Sequence, residues 1–208
     1  MDQFICDNIN HRTDSYGGSA ENRSRIVFEV VDKVVSVVGD ASRVGIRFSP
    51  FSSFQGTDTS DIHDHFGHVI SKLDGRGLSY VHLIEPREDF ALTEATKTEK
   101  LYAIARSRGV SEDKLAEYAT LKPFRDLLKT TPLIVAGGYS DTNASVPVEN
   151  GNADGVVFGR YFISNPDLPE RLKNGWALNN YDRSTFYTQG SKGYTDYPVY
   201  AGPKASNL

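Results

Sequence analysis

Two short apolar runs, each ending in glycine, constrain the fold of this chain more than any other feature. The first run covers residues 133–136 and is followed by Gly137 and Gly138. The second covers 156–158 and is followed by Gly159 and Arg160. Runs this short, without polar alternation, are typical of strands covered on both faces, as in a parallel sheet. Glycine just past a strand end lets the backbone come close to a ligand.

Two successive strand-to-glycine loops, the second with an arginine, fit a known kind of phosphate site. It is the site built after strands 7 and 8 of a (β/α)8 barrel. Backbone N–H groups and the guanidinium of Arg160 would hold the phosphate there. Two ordinary β-to-α turns without a ligand are the alternative, and the residues alone leave both interpretations open.

Helical and strand patterns alternate along the rest of the chain. Predicted helices cover 20–38, with Ser19 as N-cap and Gly39 at the end, then 61–73, 113–128 interrupted at Pro123, and 161–172 broken at Pro166. Further predicted strands cover 44–50 and 80–86. Residues 87–112 are ambiguous, with helical character near 101–105. Repeated alternation predicts an α/β fold with a four-stranded parallel sheet. The aromatic tail from Gly175 onward is predicted to pack over another part of the protein.

Composition excludes several classes of protein. The chain has 208 residues with a net charge of −4, which favours one globular domain over 1–208 and gives no general attraction to nucleic acid. No apolar run approaches the length that spans a bilayer, and the N-terminus does not resemble a signal peptide. One cysteine, Cys6, excludes an intramolecular disulfide and fits a reducing, cytoplasmic compartment.

A set of motifs then identifies a family that this chain resembles. The N-terminal stretch contains Gln3-Phe4, Asn10, Arg12, Asp14, Tyr16-Gly17-Gly18-Ser19 and Asn22-Arg23, and later motifs are GIRFSP at 45–50, VHLIEPR at 81–87, IVAGGYS at 134–140, VVFGRYFISNPDL at 156–168, YDRSTFY at 181–187 and GYTDYP at 193–198. Together they resemble the old yellow enzyme family of FMN-dependent ene-reductases, most of all its fungal, yeast-type branch. The match covers nearly the whole chain.

The resemblance implies a cofactor, a reductant and roles for particular residues. It implies FMN, reduced by NADPH or NADH, and an α,β-unsaturated carbonyl (enone) as substrate. Arg47 would contact the flavin pyrimidine edge. The loops at Gly137-Gly138 and Gly159-Arg160 would bind the flavin phosphate. Tyr187, with Phe186 beside it, would lie near the flavin and the substrate mouth, and Phe90 would line the substrate pocket.

The resemblance also implies that this chain corresponds to the C-terminal half of the family barrel, strands 5–8. The family's substrate-anchoring His and Asn and its proton-donating tyrosine precede the Gln3-Phe4 motif, so we expect them to be absent here, which leaves open whether the chain is an active enzyme. Three hypotheses follow: a truncated FMN-linked oxidoreductase, a half-barrel that pairs with an N-terminal half or with itself, or a non-catalytic flavin- or protein-binding remnant.

Several polar residues have a structural interpretation as well. Arg47 lies in an apolar strand and could pair with a carboxylate of a neighbouring strand instead of a flavin. His82 is predicted to be a hydrogen-bonded core histidine. The three histidines of the helix over 61–73 are predicted to lie on a solvated face, without a metal: His63, His65 and His68. Arg12, Asp14 and Arg23 are predicted to form a structural ion-pair and cap network at the start of the first long helix, and Cys6 to be inert.

Overall fold

Four short parallel strands form a sheet in chain order. They are β1 Gly45–Phe48, β2 Tyr80–Ile84, β3 Leu133–Ala136 and β4 Gly155–Val157, hydrogen-bonded in the order β1-β2-β3-β4. All three strand pairs are parallel, and Arg47 of β1 lies opposite His82 of β2. This computed structural model describes residues 1–52, 54–57, 59, 61–87 and 93–202. The four-stranded parallel sheet predicted from the sequence is confirmed.

Helices connect the strands and follow the last one. In the described ranges they are α1 Asp2–Ile5, α2 Ala20–Val38, α3 Ile62–Leu73, α4 Glu94–Ser107, α5 Leu115–Tyr118, α6 Lys122–Arg125, α7 Val146–Glu149, α8 Arg160–Ser164 and α9 Leu168–Asn174. Ser19 caps α2 by accepting a hydrogen bond from the backbone of Asn22, and Gly39 ends this helix with a positive φ, both as predicted. None of the helices described here is long and apolar enough to cross a membrane.

Two predicted helical regions differ from the structure in extent. The ambiguous segment 87–112 contains the 14-residue helix α4, which begins at the cap residue Thr93. Its apolar stripe is weak because Lys97 takes a buried position beside Leu101 and Ala105, so periodicity indicated only its centre. The region 113–128 is interrupted near Pro123 as predicted, but its α-helices are short: α5 ends at Tyr118, and Pro123 lies in the first turn of α6, where a new helix begins.

The two faces of the sheet have different environments. Alternate residues on one face are almost fully buried against the helical layer: Ile46, Phe48, Val81, Leu83, Leu133 and Val135. Burial of each such side chain contributes about 1.5–3 kcal/mol. On the opposite face, Arg47 and Tyr80 are exposed, and Tyr80 covers Gly45 so closely that a Cβ there would lie 2.4 Å from its ring. The apolar core therefore lies between the sheet and the helices.

Three predictions for polar side chains need correction. The histidines of α3 do not lie on a solvated face: all three are partly buried. His63 packs on Tyr118 and Phe124, with ring centroids 4.0 and 5.1 Å away, and His65 contacts Thr59 at 2.6 Å. Burial lowers the pKa of each of the three. The sequence pattern missed this because α5 and α6, which cover His63, come more than 50 residues later.

The other two corrections concern His82 and the N-terminal network. His82 is buried as predicted, but its Nε2 has no hydrogen-bond partner among the described residues. Arg12 pairs with Asp14 as predicted. Arg23 does not take part in that pair, since its guanidinium donates to the carbonyl of Ile5 at 2.8 Å and to that of Gly18. The predicted network is therefore two separate units: the Arg12–Asp14 ion pair, and Arg23 with the two carbonyls that it contacts.

The C-terminal tail packs back onto α9, as its aromatic composition predicted. Arg171 of α9 is almost fully buried and donates hydrogen bonds to the carbonyls of Ala177 (2.5 Å) and Pro198 (3.0 Å). Trp176 stacks on Tyr200 with ring centroids 4.3 Å apart. These contacts tie both ends of the segment 176–200 to the helix that follows the sheet.

Candidate functional site

A cleft of about 460 Å³ lies at the carboxyl ends of the four strands. Its lining includes all six residues that the resemblance assigns to the cofactor: Arg47, Gly137, Gly138, Gly159, Arg160 and Tyr187. The carboxyl ends of neighbouring parallel strands meet at one edge of the sheet, which explains why residues so far apart in sequence come together. Phe186 is not part of the lining, and Phe90 lies outside the described residues.

Arg47 projects from the exposed face of β1 into this cleft. No ion pair joins it to any carboxylate in the described ranges, so the alternative of a cross-strand salt bridge is not observed there. Its strand neighbour His82 does not add a second charge at neutral pH. Burial, with a smaller contribution from the charge of Arg47, lowers the pKa of His82 to about 4. Arg47 is therefore the cation that β1 presents to the cleft.

The loop after β3 is built around two glycines with positive φ. Gly137 has a φ of 127° and Gly138 has a φ of 73°. A Cβ at Gly137 would lie 2.9 Å from Cβ of Glu85 and 3.2 Å from its backbone nitrogen. The side chain of Asn143 accepts a hydrogen bond from the Ser140 N–H at 2.7 Å, which fixes the following turn. The chain's own packing thus requires glycine at 137.

The glycine of the loop after β4 has different surroundings. Gly159 has an ordinary φ of −101°, and a Cβ built on it would meet no atom within 4 Å. It directly precedes α8, which begins at Arg160. The Arg160 guanidinium lies 6.0 Å from the ring centroid of Tyr181. The described chain therefore leaves room for another group to approach the backbone at Gly159.

Tyr187 lies at the mouth of the cleft in an unusual conformation. Its φ is 59°, and no other non-glycine residue in the described part of the chain has a positive φ. The residue is 83% exposed. Its backbone N–H donates to the hydroxyl of Tyr194 at 2.6 Å, which holds that conformation. Strained residues of this kind cluster at ligand sites. Phe186 instead stacks on Tyr181, with centroids 5.7 Å apart.

Sequence reasoning missed several residues of this site. Glu85 follows β2 directly and accepts a hydrogen bond from the hydroxyl of Tyr139 at 3.2 Å. Burial raises the pKa of the Glu85 carboxyl, while Tyr139, Arg87 and the Leu121 backbone lower it. Its place at the carboxyl end of a parallel strand was a usable signal. The remaining missed residues include Lys97 and Tyr181, for which position along the chain gives no such signal.

The chemistry of the lining suits an anionic ligand. Among the described residues, four basic side chains line the cleft and Glu85 is the single carboxylate there; the basic residues are Arg47, Arg87, Lys97 and Arg160. Guanidinium and ammonium groups beside exposed loop backbone are suited to phosphate recognition. No group of three or more His, Cys, Asp or Glu side chains suited to a metal ion occurs in the described ranges.

Successive parallel βα units with a cleft lined by basic side chains at the strand ends are typical of the (β/α)-barrel class. Residues 1–179 match the NADH:flavin oxidoreductase / NADH oxidase family, the Oxidored_FMN family, and the chain belongs to it. The predicted family is therefore confirmed, and FMN with a nicotinamide reductant is the cofactor chemistry of that family.

Individual relatives agree with the family and with the fold. The chain is 44% identical to flavin oxidoreductase hxnT of the fungus Emericella nidulans, with 95% of this chain and 50% of that protein covered. It superposes on morphinone reductase in complex with tetrahydroNAD with a TM-score of 0.72 and 38% identity, covering 95% of this chain and 47% of that one. It superposes on the old yellow enzyme homologue of Zymomonas mobilis with a TM-score of 0.76 and 32% identity, covering 96% of this chain and 50% of that one.

The similarity covers nearly all of this chain but only part of each relative. The chain spans about half the length of the proteins that it matches. Its four strands correspond to half of a (β/α)8 barrel, as predicted from the sequence.

Proposed function

We propose that the cleft binds FMN and that the protein works as an FMN-linked NAD(P)H oxidoreductase of the ene-reductase type. The observation that carries the proposal is the convergence of all six predicted cofactor residues, from four separate stretches of the chain, on one cleft. Bound FMN would supply hydride transfer between a reduced nicotinamide and an α,β-unsaturated carbonyl. The open space in front of Gly159 and the basic lining support the fit of a flavin phosphate.

Each residue has a defined task in this proposal. The backbone at Gly137-Gly138 and Gly159, with the Arg160 guanidinium, would hold the phosphate through charge-assisted hydrogen bonds. Arg47, at the opposite wall of the cleft, would lie along the flavin ring and stabilise negative charge there. Tyr187 would cover the mouth of the cleft and limit access of water.

The 208 residues supply one side of such a site. The substrate-anchoring His and Asn and the proton-donating tyrosine of the family have no counterpart in our assignment. We therefore propose that substrate turnover needs four further strands, which close the barrel over the exposed face of the sheet that carries Arg47.

A second candidate function follows from the sheet itself. The outer edges of β1 and β4 have no strand partner among the described residues. Unpaired strand edges favour association. On this alternative the chain is a half-barrel module, itself non-catalytic, that pairs with an N-terminal half or with a second copy of itself.

Flavin titration tests the proposed binding site. We expect FMN to bind at least about tenfold more tightly than riboflavin, since charge-assisted hydrogen bonds to phosphate contribute about 1.5–3 kcal/mol. Arg160→Met should remove most of this difference. The control is Arg43→Met, an exposed arginine just before β1, at the opposite end of the sheet from the cleft. Equal affinity of the unsubstituted protein for both flavins, or no binding of either, would overturn the proposal.

Size-exclusion chromatography, read at protein and flavin wavelengths, separates the two candidates. A flavin-carrying dimer would favour pairing of two half-barrels, and cyclohexenone reduction with NADPH then tests whether pairing restores turnover. A monomer that binds FMN but reduces no cyclohexenone would support the need for further strands.

A further inference from the structure

Tyr181 occupies the centre of an aromatic group at the end of the cleft near Gly159. Phe186 stacks on its ring with a centroid distance of 5.7 Å and an interplanar angle of 30°. Tyr161 meets the same ring edge-on at 5.2 Å and 75°. The Arg160 guanidinium carbon lies 6.0 Å from the ring centroid. The C-terminal tail thus contacts the first two residues of α8.

Hydrogen bonds hold the tail in place on both sides of Tyr181. The Asn179 N–H donates to the side chain of Asn165 at 2.7 Å, and the Asn179 amide donates to the Ser164 carbonyl at 2.9 Å. The Asp182 N–H donates to the hydroxyl of Tyr197 at 2.9 Å. These contacts anchor the backbone on both sides of Tyr181, and its ring packs against Phe186 and Tyr161.

We propose that Tyr181 is a positioning residue that holds the Arg160 guanidinium at the Gly159 end of the cleft and so sets the affinity for the phosphate of the ligand. An arginine side chain has many rotamers, and the entropy lost on immobilising it weakens binding. An aromatic ring against the guanidinium reduces that loss through a cation–π contact. The proposal rests on the proposed FMN site and adds a residue that does not itself bind the phosphate.

The main test compares two substitutions at one position with two ligands. Tyr181→Leu removes the ring, and we expect it to weaken FMN binding about three- to tenfold while the affinity for riboflavin, which lacks the phosphate, stays the same. Tyr181→Phe keeps the ring and should restore FMN affinity. Tyr102→Leu is the matched control, because Tyr102 forms a similar contact with Arg106 at 5.9 Å outside the cleft.

Arg160 provides a second arm of the test. In an Arg160→Met background, Tyr181→Leu should have no further effect on FMN affinity, since the two residues act as a unit. An equal loss of FMN and riboflavin affinity in Tyr181→Leu would overturn the proposal, because it would show a role in folding of the tail. Unchanged FMN affinity in Tyr181→Leu would overturn it as well.

A flavin-independent measurement distinguishes this inference from the proposed function. The ring current of Tyr181 should shift the NMR signals of the Arg160 side chain, and Tyr181→Leu should abolish that shift. If the shift is present but neither flavin binds, the proposed function fails and the role of Tyr181 toward phosphate fails with it. If flavins bind but the shift is absent, only the positioning role fails.

Discussion

The loops after β3 and β4 both place glycine at the edge of the same cleft, but the packing of the chain requires glycine only in the first of these two loops. Gly137 has a positive φ, and its Cα faces the Glu85 side chain so closely that a Cβ would come within 2.9 Å of it. Gly159 has an ordinary backbone conformation and faces open space. Packing of the chain explains the first glycine completely, whereas it leaves the second unexplained.

The contrast between Gly137 and Gly159 shows that a glycine in a cleft can be required by the fold alone. A glycine that the fold itself needs says little about a ligand, even when it lines a cleft. A glycine that faces open space beside a basic residue leaves room for a ligand to approach the backbone. The sequence motifs of the two loops look alike, but at Gly159, unlike at Gly137, a methyl group can be added without a clash, so the proposed phosphate site can be tested there without disturbing the fold.

The largest expected effect is on stability, at Gly137. Gly137→Ala should lower the free energy of unfolding by at least about 2 kcal/mol, because an unfavourable φ and close contact with Glu85 add together. Gly138→Ala is the control for backbone strain alone, since its nearest contacts, with Arg87, are 3.6 Å away. Urea unfolding followed by circular dichroism measures both. If Gly137→Ala were as stable as the unsubstituted protein, the contrast between the two loops would be wrong.

At Gly159 we expect the reverse pattern. Gly159→Ala should leave stability unchanged or raise it by up to about 1 kcal/mol, because alanine fits the backbone and restricts the unfolded chain. The new methyl group would occupy the space assigned to the phosphate, so FMN affinity should fall about tenfold, or about 1.4 kcal/mol. Gly67→Ala, in α3 and outside the cleft lining, is the control. Unchanged FMN affinity in Gly159→Ala would assign the open space to another role.

The strands, and the meeting of the six proposed cofactor residues in one cleft, could be predicted because their signals are local. Short β-branched runs followed by glycine predict parallel strands, and parallel strands in sequence order bring their carboxyl ends together. The family motifs then give Arg47 and Arg160 a role by position. Neither step requires knowledge of which side chains meet across the fold.

Contacts between distant segments could not be predicted. The burial of His63 depends on α5 and α6, and the place of Tyr181 beside Arg160 depends on how the tail folds back over α8. Periodicity within α3 only shows which residues share a face. Whether a second element covers that face is decided by packing between segments tens of residues apart, for which a single sequence gives no signal.

The smallest expected effect concerns the pH dependence of stability through Glu85, which packs beneath Gly137. Burial raises the pKa of this carboxyl, with Glu94 adding to the rise and Tyr139, Arg87 and the Leu121 backbone opposing it. The native state therefore holds the proton more tightly than the unfolded chain does. The contribution of Glu85 favours the native state most at low pH, and it is lost as the pH rises from the ordinary value of 4.5 through the raised pKa.

Glu85→Gln removes this titration. The free energy of unfolding of the variant, relative to the unsubstituted protein, should therefore increase as the pH rises from about 4 toward neutrality. Urea unfolding at several pH values measures how this free-energy difference changes with pH. Any weakening of the Tyr139 hydrogen bond that is the same at every pH shifts the difference by a constant and leaves its slope unchanged. Glu149→Gln, an exposed position in α7, is the control and should show no such slope. Parallel pH profiles for Glu85→Gln and the unsubstituted protein would mean that Glu85 is solvated, and the loop after β3 would then lack the close packing that makes glycine necessary at 137.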